Sequence, residues 1–281
     1  MALVSQLREL SYYVPTRGRV HWEKLPTLED IKAARLLHMV TIVCPKEEVA
    51  IWQIRYPDVK DVLGRPDSVK NLSQCRAWMV ETCPTRYIFL LDDDVTFRVQ
   101  YEEDRRTARV LKDIPRFKWG LTHHVMDLFQ EYPHVGFGGY YFCHRRPMLK
   151  EIGWAGYTWG YDRDVVGELV APALRRLPLY SDSEQCLTIL RAGFKNVVTG
   201  YVVVSARKPA LTPQDGGCGV YRTPELVEEA RQGLIAVHGD FIRERPLSKY
   251  QRNPQGTLYF DWKRAYESGV KWRQAQERSH V

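Results

Sequence analysis

The sequence predicts an α/β fold: a mostly parallel sheet with helices on both faces, followed by a basic C-terminal extension. Three observations carry this. Apolar runs at 10–15 (LSYYVP) and 39–45 (MVTIVCP) enclose a segment with helical spacing, which gives the order β, α, β. The order repeats at 68–94, where a helix-like stretch leads into RYIFLLDDD. Both sets of strands are continuously apolar rather than alternating, as expected of strands covered on two faces.

Taken in order, LSYYVP is rich in β-formers and stops at Pro15 before the turn-like TRGR. TLEDIKAARLL offers capping residues, then Ile31, Ala34, Leu37 and Met39 at roughly helical spacing. SVKNLSQCRAWMVET (68–82) reads as a helix with Ser68 as its cap, and 86–94 as a strand. Further on, HVGFGGYYF (134–142) reads as a strand; 179–199 reads as loop, amphipathic helix, a stop at Gly193 and a strand. Three prolines and three glycines in 207–224 mark a mobile loop, after which TPELVEEARQGLIAVHGDFI continues as a capped helix. Ligands in such sheets bind beyond the carboxyl ends of the strands, which lines up Thr16–Arg19, Pro45 and Asp92–Asp94 along one edge.

A length of 281 residues suits one catalytic domain, residues 1–242, and a tail, residues 243–281. With 44% hydrophobic and 27% charged residues the chain lies far from the composition of disorder. No apolar run approaches membrane-spanning length and MALVSQLREL lacks a signal-peptide core, so neither secretion nor membrane spanning is expected. Six cysteines without CxxC pairs argue against a zinc ribbon or a disulfide scaffold and fit reduced thiols in cytoplasm. The tail holds nine Lys/Arg against four Asp/Glu, with Tyr250, Tyr259, Phe260, Trp262, Tyr266 and Trp272 among them. Such a segment suits a polyanion such as nucleic acid, or lies as a solvated helix on the domain.

The chemistry concentrates at Asp92, Asp93 and Asp94. Three acids at the end of an apolar strand are costly unless they meet water, a cation or a donor-rich partner. Alternation along an extended chain sends Asp92 and Asp94 to one side and Asp93 to the other. Two same-side carboxylates can hold Mg2+ or Mn2+ and leave positions for diphosphate oxygens.

YIFLLDDDVTF resembles the DxD segment of glycosyltransferases with the Rossmann-like GT-A fold. VPTRGR (14–19) resembles the family's opening strand and loop, which embraces the nucleotide through Pro15, Thr16, Arg17 and Arg19. NLSQCRAWMVE looks like the helix before the DxD strand, with Arg76 at a nucleotide-facing position whose guanidinium fork suits phosphate. SDSEQCLTILRAGFKN is similar to the ED-type segment, although Ser181 stands where glutamate is usual; Asp182 and Glu184 both stay open as the catalytic acid. The resemblance implies a UDP-sugar donor, one Mn2+ or Mg2+ held by Asp92 and Asp94, and proton removal from the acceptor hydroxyl near Asp182 or Glu184. Asp93 would orient a donor hydroxyl or a basic neighbour. His238 in IAVHGDF is a candidate third metal ligand by position, and Gly216 and Gly217, with Tyr221 and Arg222, would close over the donor phosphates.

Within that family the GGC–YRTPE segment and the basic aromatic tail most resemble phage and TET-associated DNA-base glycosyltransferases, which implies hydroxymethylated, double-stranded DNA such as 5-hydroxymethylcytosine DNA as acceptor, in the host cytoplasm if phage-encoded. Trp154, Tyr157, Trp159 and Tyr161 could fill the gap left by an extruded base, and Arg98, Arg105, Arg106, Arg109, Lys112, Arg116 and Lys118 could form a phosphate track. The competing readings are a glycan, lipid or small-molecule acceptor, a nucleotidyltransferase, and a non-catalytic DNA-binding module. The nucleotidyltransferase would need a glycine-rich, lysine-containing opening loop that VPTRGR lacks, and the binding module leaves the costly acids at the strand end unexplained. The oligomeric state leaves no mark on the sequence.

Overall fold

The computed structural model describes residues 7–100, 109–110, 113–140, 148–156, 158–206, 217–245 and 258–279. Their centre is a ten-stranded sheet of order β3-β2-β1-β4-β9-β7-β10-β5-β6, with β8 paired to β10. The strands are β1 Leu10–Pro15, β2 Val40–Cys44, β3 Asp61–Gly64, β4 Tyr87–Leu91, β5 Val95–Val99, β6 Arg109–Val110, β7 His134–Gly139, β8 Leu149–Glu151, β9 Thr158–Asp162 and β10 Asn196–Ala206. Strands β1, β2, β3, β4, β6, β7 and β10 point one way, and β5, β8 and β9 the other. The mostly parallel sheet is therefore as expected, with antiparallel strands inserted in its second half.

Continuous apolar strands bury alternate residues into two cores. Tyr12, Val14, Phe89 and Leu91 face α1 (Pro26–Ala33) and α2 (Val49–Arg55), together with a helical stretch made of α4 (Ile114–Trp119), a π-helical turn Gly120–His124 and α5 (Val125–Phe129). Tyr13, Ile88 and Leu90 face α3 (Leu72–Thr82), α6 (Arg163–Arg176) and α7 (Ser181–Arg191). Helix α1 ends early because Arg35 takes a left-handed backbone (φ 58°), and Leu37–Met39 form a separate 3-10 turn. Helix α3 is capped by Asn71, whose side chain accepts the Gln74 N–H at 2.9 Å, and not by Ser68.

The C-terminal region closes on the second face. Helix α8 (Pro224–His238), strands β11 (Ile242–Glu244) and β12 (Leu258–Phe260), and α9 (Trp262–Ser279) join α7 in a third apolar cluster around Leu187, Leu190, Leu234, Phe241 and Ala265. The boundary expected at residue 242 falls inside β11. Helix α9 meets α7 glycine to glycine: a methyl on Gly269 would collide with the Gly193 nitrogen and with the Leu190 and Arg191 carbonyls. That contact is at the carboxyl end of α7. Asp182, at the other end, is nine residues and about 14 Å along the axis from Arg191.

Candidate active site

Strand β4 stops at Leu91, and Asp92–Asp94 form the turn into β5. Thr27 of α1 locks this turn: its hydroxyl donates to the Asp92 carbonyl (2.5 Å) and accepts the Val95 N–H (3.2 Å). Because the run has left the strand, period-two alternation does not apply to it. Arg19 forks onto Asp93 and onto Asp94 (2.9 Å), while Arg76 takes Asp92. The three acids are divided between two arginines, and the two with open side chains are Asp92 and Asp94, Asp93 being buried under Arg19. Burial pushes the Asp92 carboxyl up to about 6, against the pull of Arg76, and Asp93 up to about 7, against that of Arg19. Asp92 and Asp94 stay partly open to solvent (27% and 19% of the side chain), and each keeps one carboxylate oxygen outside these pairs.

The opening loop wraps the acids from the β1 end. Pro15 is buried at the end of β1, and the Thr16 N–H donates to the Val43 carbonyl at 2.8 Å while its hydroxyl lies against Asp93. Arg17 reaches the Lys70 carbonyl (3.0 Å), and Gly18, with φ 69°, donates to Glu48 (2.8 Å). Arg19 is 3% exposed and lies 4.5 Å over the Trp22 ring, so its guanidinium is committed to the acid turn. The 3-10 turn Gly217–Val220 seals the loop. The Gly217 N–H donates to the Arg17 carbonyl (2.9 Å) with φ 56°, and Tyr221 accepts the Leu72 N–H at the start of α3 (3.1 Å). Gly216 lies outside the described residues.

Helix α7 presents Asp182 to the same region. It starts from Tyr180, held in the left-handed region at φ 62°. Asp182 accepts its own helix's Ser183 N–H (2.9 Å) and the Trp154 indole N–H (3.2 Å). Burial raises its carboxyl above the ordinary range, opposed chiefly by Arg76. Glu184 does not share this position. It is fully buried between Arg176 and His238, so both oxygens are occupied and it cannot serve as an acceptor-facing acid. His238 is likewise corrected: Arg191 donates to Nδ1 (2.9 Å), which places the ring proton on Nε2 toward Glu184 (3.0 Å). Neither nitrogen is left for a metal. Among the described residues, no group of three or more His, Cys, Asp or Glu is arranged to hold one.

Trp159 and Tyr161 belong to the core and are unavailable to an extruded base: Trp159 lies under Arg76, and Tyr161 donates to Gln185 (3.2 Å). Arg98 covers the Tyr140 ring at 4.0 Å, and Arg116 pairs with Asp113. Tyr157, Arg105, Arg106, Lys112, Tyr250 and the Arg109 side chain lie outside the described residues. Sequence patterns missed Thr27, which looks like a helix cap but reaches across to the acid turn.

A family model described as TET-Associated Glycosyltransferase matches residues 11–208, well over half of the chain. The chain belongs to this family. This TET-associated glycosyltransferase is 24% identical over 220 residues to the beta-glucosyl-HMC-alpha-glucosyl-transferase of Enterobacteria phage T6, covering 71% of the present chain and 74% of the relative. Its fold is similar to that of S. aureus TarS 1–349, solved in complex with UDP (TM-score 0.51, 11% identity, 81% of this chain and 64% of that one). A second TarS structure, with UDP-GlcNAc, gives a TM-score of 0.50 at 10% identity over 80% of this chain and 66% of that one. The glycosyltransferase thus has the GT-A fold that its motifs suggested, and among its described residues no helix is long and apolar enough to cross a membrane.

Proposed function

We propose that this glycosyltransferase moves a sugar from a UDP-sugar to the hydroxymethyl group of 5-hydroxymethylcytosine in double-stranded DNA. The observation that carries the reading is the convergence of two partly open carboxylates, Asp92 and Asp94, with Asp182, a carboxylate of raised proton affinity on the adjoining helix. The free oxygens of Asp92 and Asp94 fit a divalent cation, with diphosphate and water completing the shell. Mn2+ or Mg2+ bound there would neutralise charge on the departing diphosphate.

The chain's own groups do the rest. Asp182 takes the proton of the acceptor hydroxyl as its oxygen bonds to the sugar's anomeric carbon; the bond from that carbon to UDP breaks, and UDP leaves with the electron pair. An aspartate held above the usual carboxylate range is a better proton acceptor near neutrality than an ordinary one. Trp154 aims it by its indole hydrogen bond. The Gly217 turn and Arg17 close the nucleotide side. The phage relative, whose name specifies HMC, supports the base, and the net charge of +7 suits a polyanionic acceptor. A base inside a duplex must be extruded to reach Asp182. The exposed basic end of α9, with Trp272 59% exposed, packs at the far end of α7 and is assigned no part in holding that base.

Asp94→Ala separates the readings. Loss of transfer to hydroxymethylated DNA, with DNA affinity retained and salt-sensitive, supports the enzyme; unchanged transfer refutes the assigned centre, and salt-insensitive transfer to oligosaccharides alone refutes the DNA acceptor.

A further inference from the structure

Arg76 has an unusual set of partners for a phosphate ligand. Its side chain is 7% exposed, and both terminal nitrogens are spent on protein: Nη1 donates to the Ser181 hydroxyl at 2.9 Å, and Nη2 donates to Asp92. The guanidinium plane sits 4.4 Å over the Trp159 ring. Its Nε is buried without a hydrogen-bond partner. One side chain of α3 therefore ties together the acid turn after β4, the first residue of α7, and β9.

A buried arginine pays a large desolvation cost, and a lysine could neutralise Asp92 as a point charge. The planar fork adds two fixed directions, one to each side of the site. Ser181 precedes Asp182, and Tyr180 before it is held in a strained left-handed conformation, so the start of α7 has little freedom once Arg76 grips it. The groups facing Asp182 are Arg76 from α3, the Trp154 indole, Tyr161 from β9 and, on its own segment, Tyr180, Cys186 and the Ser183 N–H; Arg76 is the cation among them.

We infer that Arg76 is a positioning residue that couples the donor side of the site, through Asp92, to the acceptor base Asp182, through Ser181, and that it does not bind the donor phosphates itself. The inference rests on the proposed role of Asp182. With Arg76 in place, Asp92 is aimed and Asp182 is held both in position and in its ionised form. Without it, each acid remains present but the two halves lose their common brace.

The test uses the full-length protein, hydroxymethylated DNA and the UDP-sugar that the wild type accepts. It compares wild type, Arg76→Met, Arg76→Lys and Ser181→Ala. Arg76→Met is expected to lower kcat by about 100-fold, as misplaced catalytic groups do, to leave UDP affinity, measured by calorimetry with divalent cations chelated, within about threefold, and to move the acid limb of the pH–rate profile upward. Arg76→Lys restores the charge, so the limb returns while most of the rate stays lost. Ser181→Ala loses about tenfold in kcat with the limb in place. UDP affinity with divalent cations chelated falling in step with kcat/KM would make Arg76 a donor ligand and overturn the inference, as would an acid limb that Arg76→Met does not move. A wild type that transfers no sugar fails the functional reading itself; an active wild type whose Arg76→Met variant keeps its rate fails the inference alone.

Discussion

Replacing Arg19 with methionine keeps an unbranched apolar stem and removes the guanidinium that holds the acid turn. Arg19 and Asp93 have side chains 4% and 8% exposed, so the substitution strands a carboxylate in the interior; Asp94, at 19%, recovers part of its loss through water. Breaking a buried pair by removing one partner costs about 3–5 kcal/mol, a large part of the roughly 5–15 kcal/mol that holds a domain. The cost depends on pH. Asp93 is raised to about 7 even with Arg19 beside it, and Arg19 is the chief influence pulling it down, so the variant's carboxyl titrates higher still. A carboxyl raised in the folded state binds its proton more tightly there than in the unfolded chain; the stability it supports is complete at acid pH and lost as pH rises through the folded value. The deficit of Arg19→Met relative to wild type is therefore smaller near pH 6 than near pH 8.5. Urea unfolding followed by tryptophan fluorescence at both pH values measures it, and adding Asp93→Asn should recover part of the alkaline loss. A deficit below about 1 kcal/mol, or one equal at both pH values, would refute the reasoning.

Asp182→Asn should lower kcat by about 100-fold or more while leaving the melting temperature within a few degrees, because the amide can still meet Trp154 but cannot take a proton. In the wild type the acid limb of kcat/KM should lie above the ordinary carboxylate range, activity falling as pH drops and Asp182 is protonated; a limb near 4 contradicts the role. Glu184→Gln should do the reverse of Asp182→Asn: a loss of about 2–4 kcal/mol in chemical denaturation, from a broken buried pair with Arg176, without moving that limb. Gly269→Ala should cost about 1–3 kcal/mol through overpacking against fixed backbone and expose α9 to limited proteolysis.

The sheet was legible because strands buried on both faces are apolar nearly throughout, and β1, β2 and β4 are, with Ser11 and Thr41 as the polar exceptions. Strand β9 was not, because TWGYD carries Gly160, whose missing side chain makes room for the Phe89 ring, and ends in a charged residue. The acid run was visible as a cost; its division between Arg19 and Arg76 was not, since those contacts span 74 and 16 residues and the turn abolishes alternation. Asp182 and Glu184 sit about 200° apart around one helix, so only one can face the cleft, and which one depends on where α8 packs. Position along the chain could suggest His238 as a ligand but could not reveal that Glu184 and Arg191 occupy its ring.

The central claim is most directly tested by the mass of the product. Incubation of the protein and Mn2+ with 5-hydroxymethylcytosine-containing duplex DNA and a panel of UDP-sugars, followed by nucleoside mass spectrometry, should show one modified nucleoside heavier by a single sugar residue, absent with Asp182→Asn. Unmodified nucleosides with every donor, alongside transfer to a glycan or lipid acceptor, would contradict it.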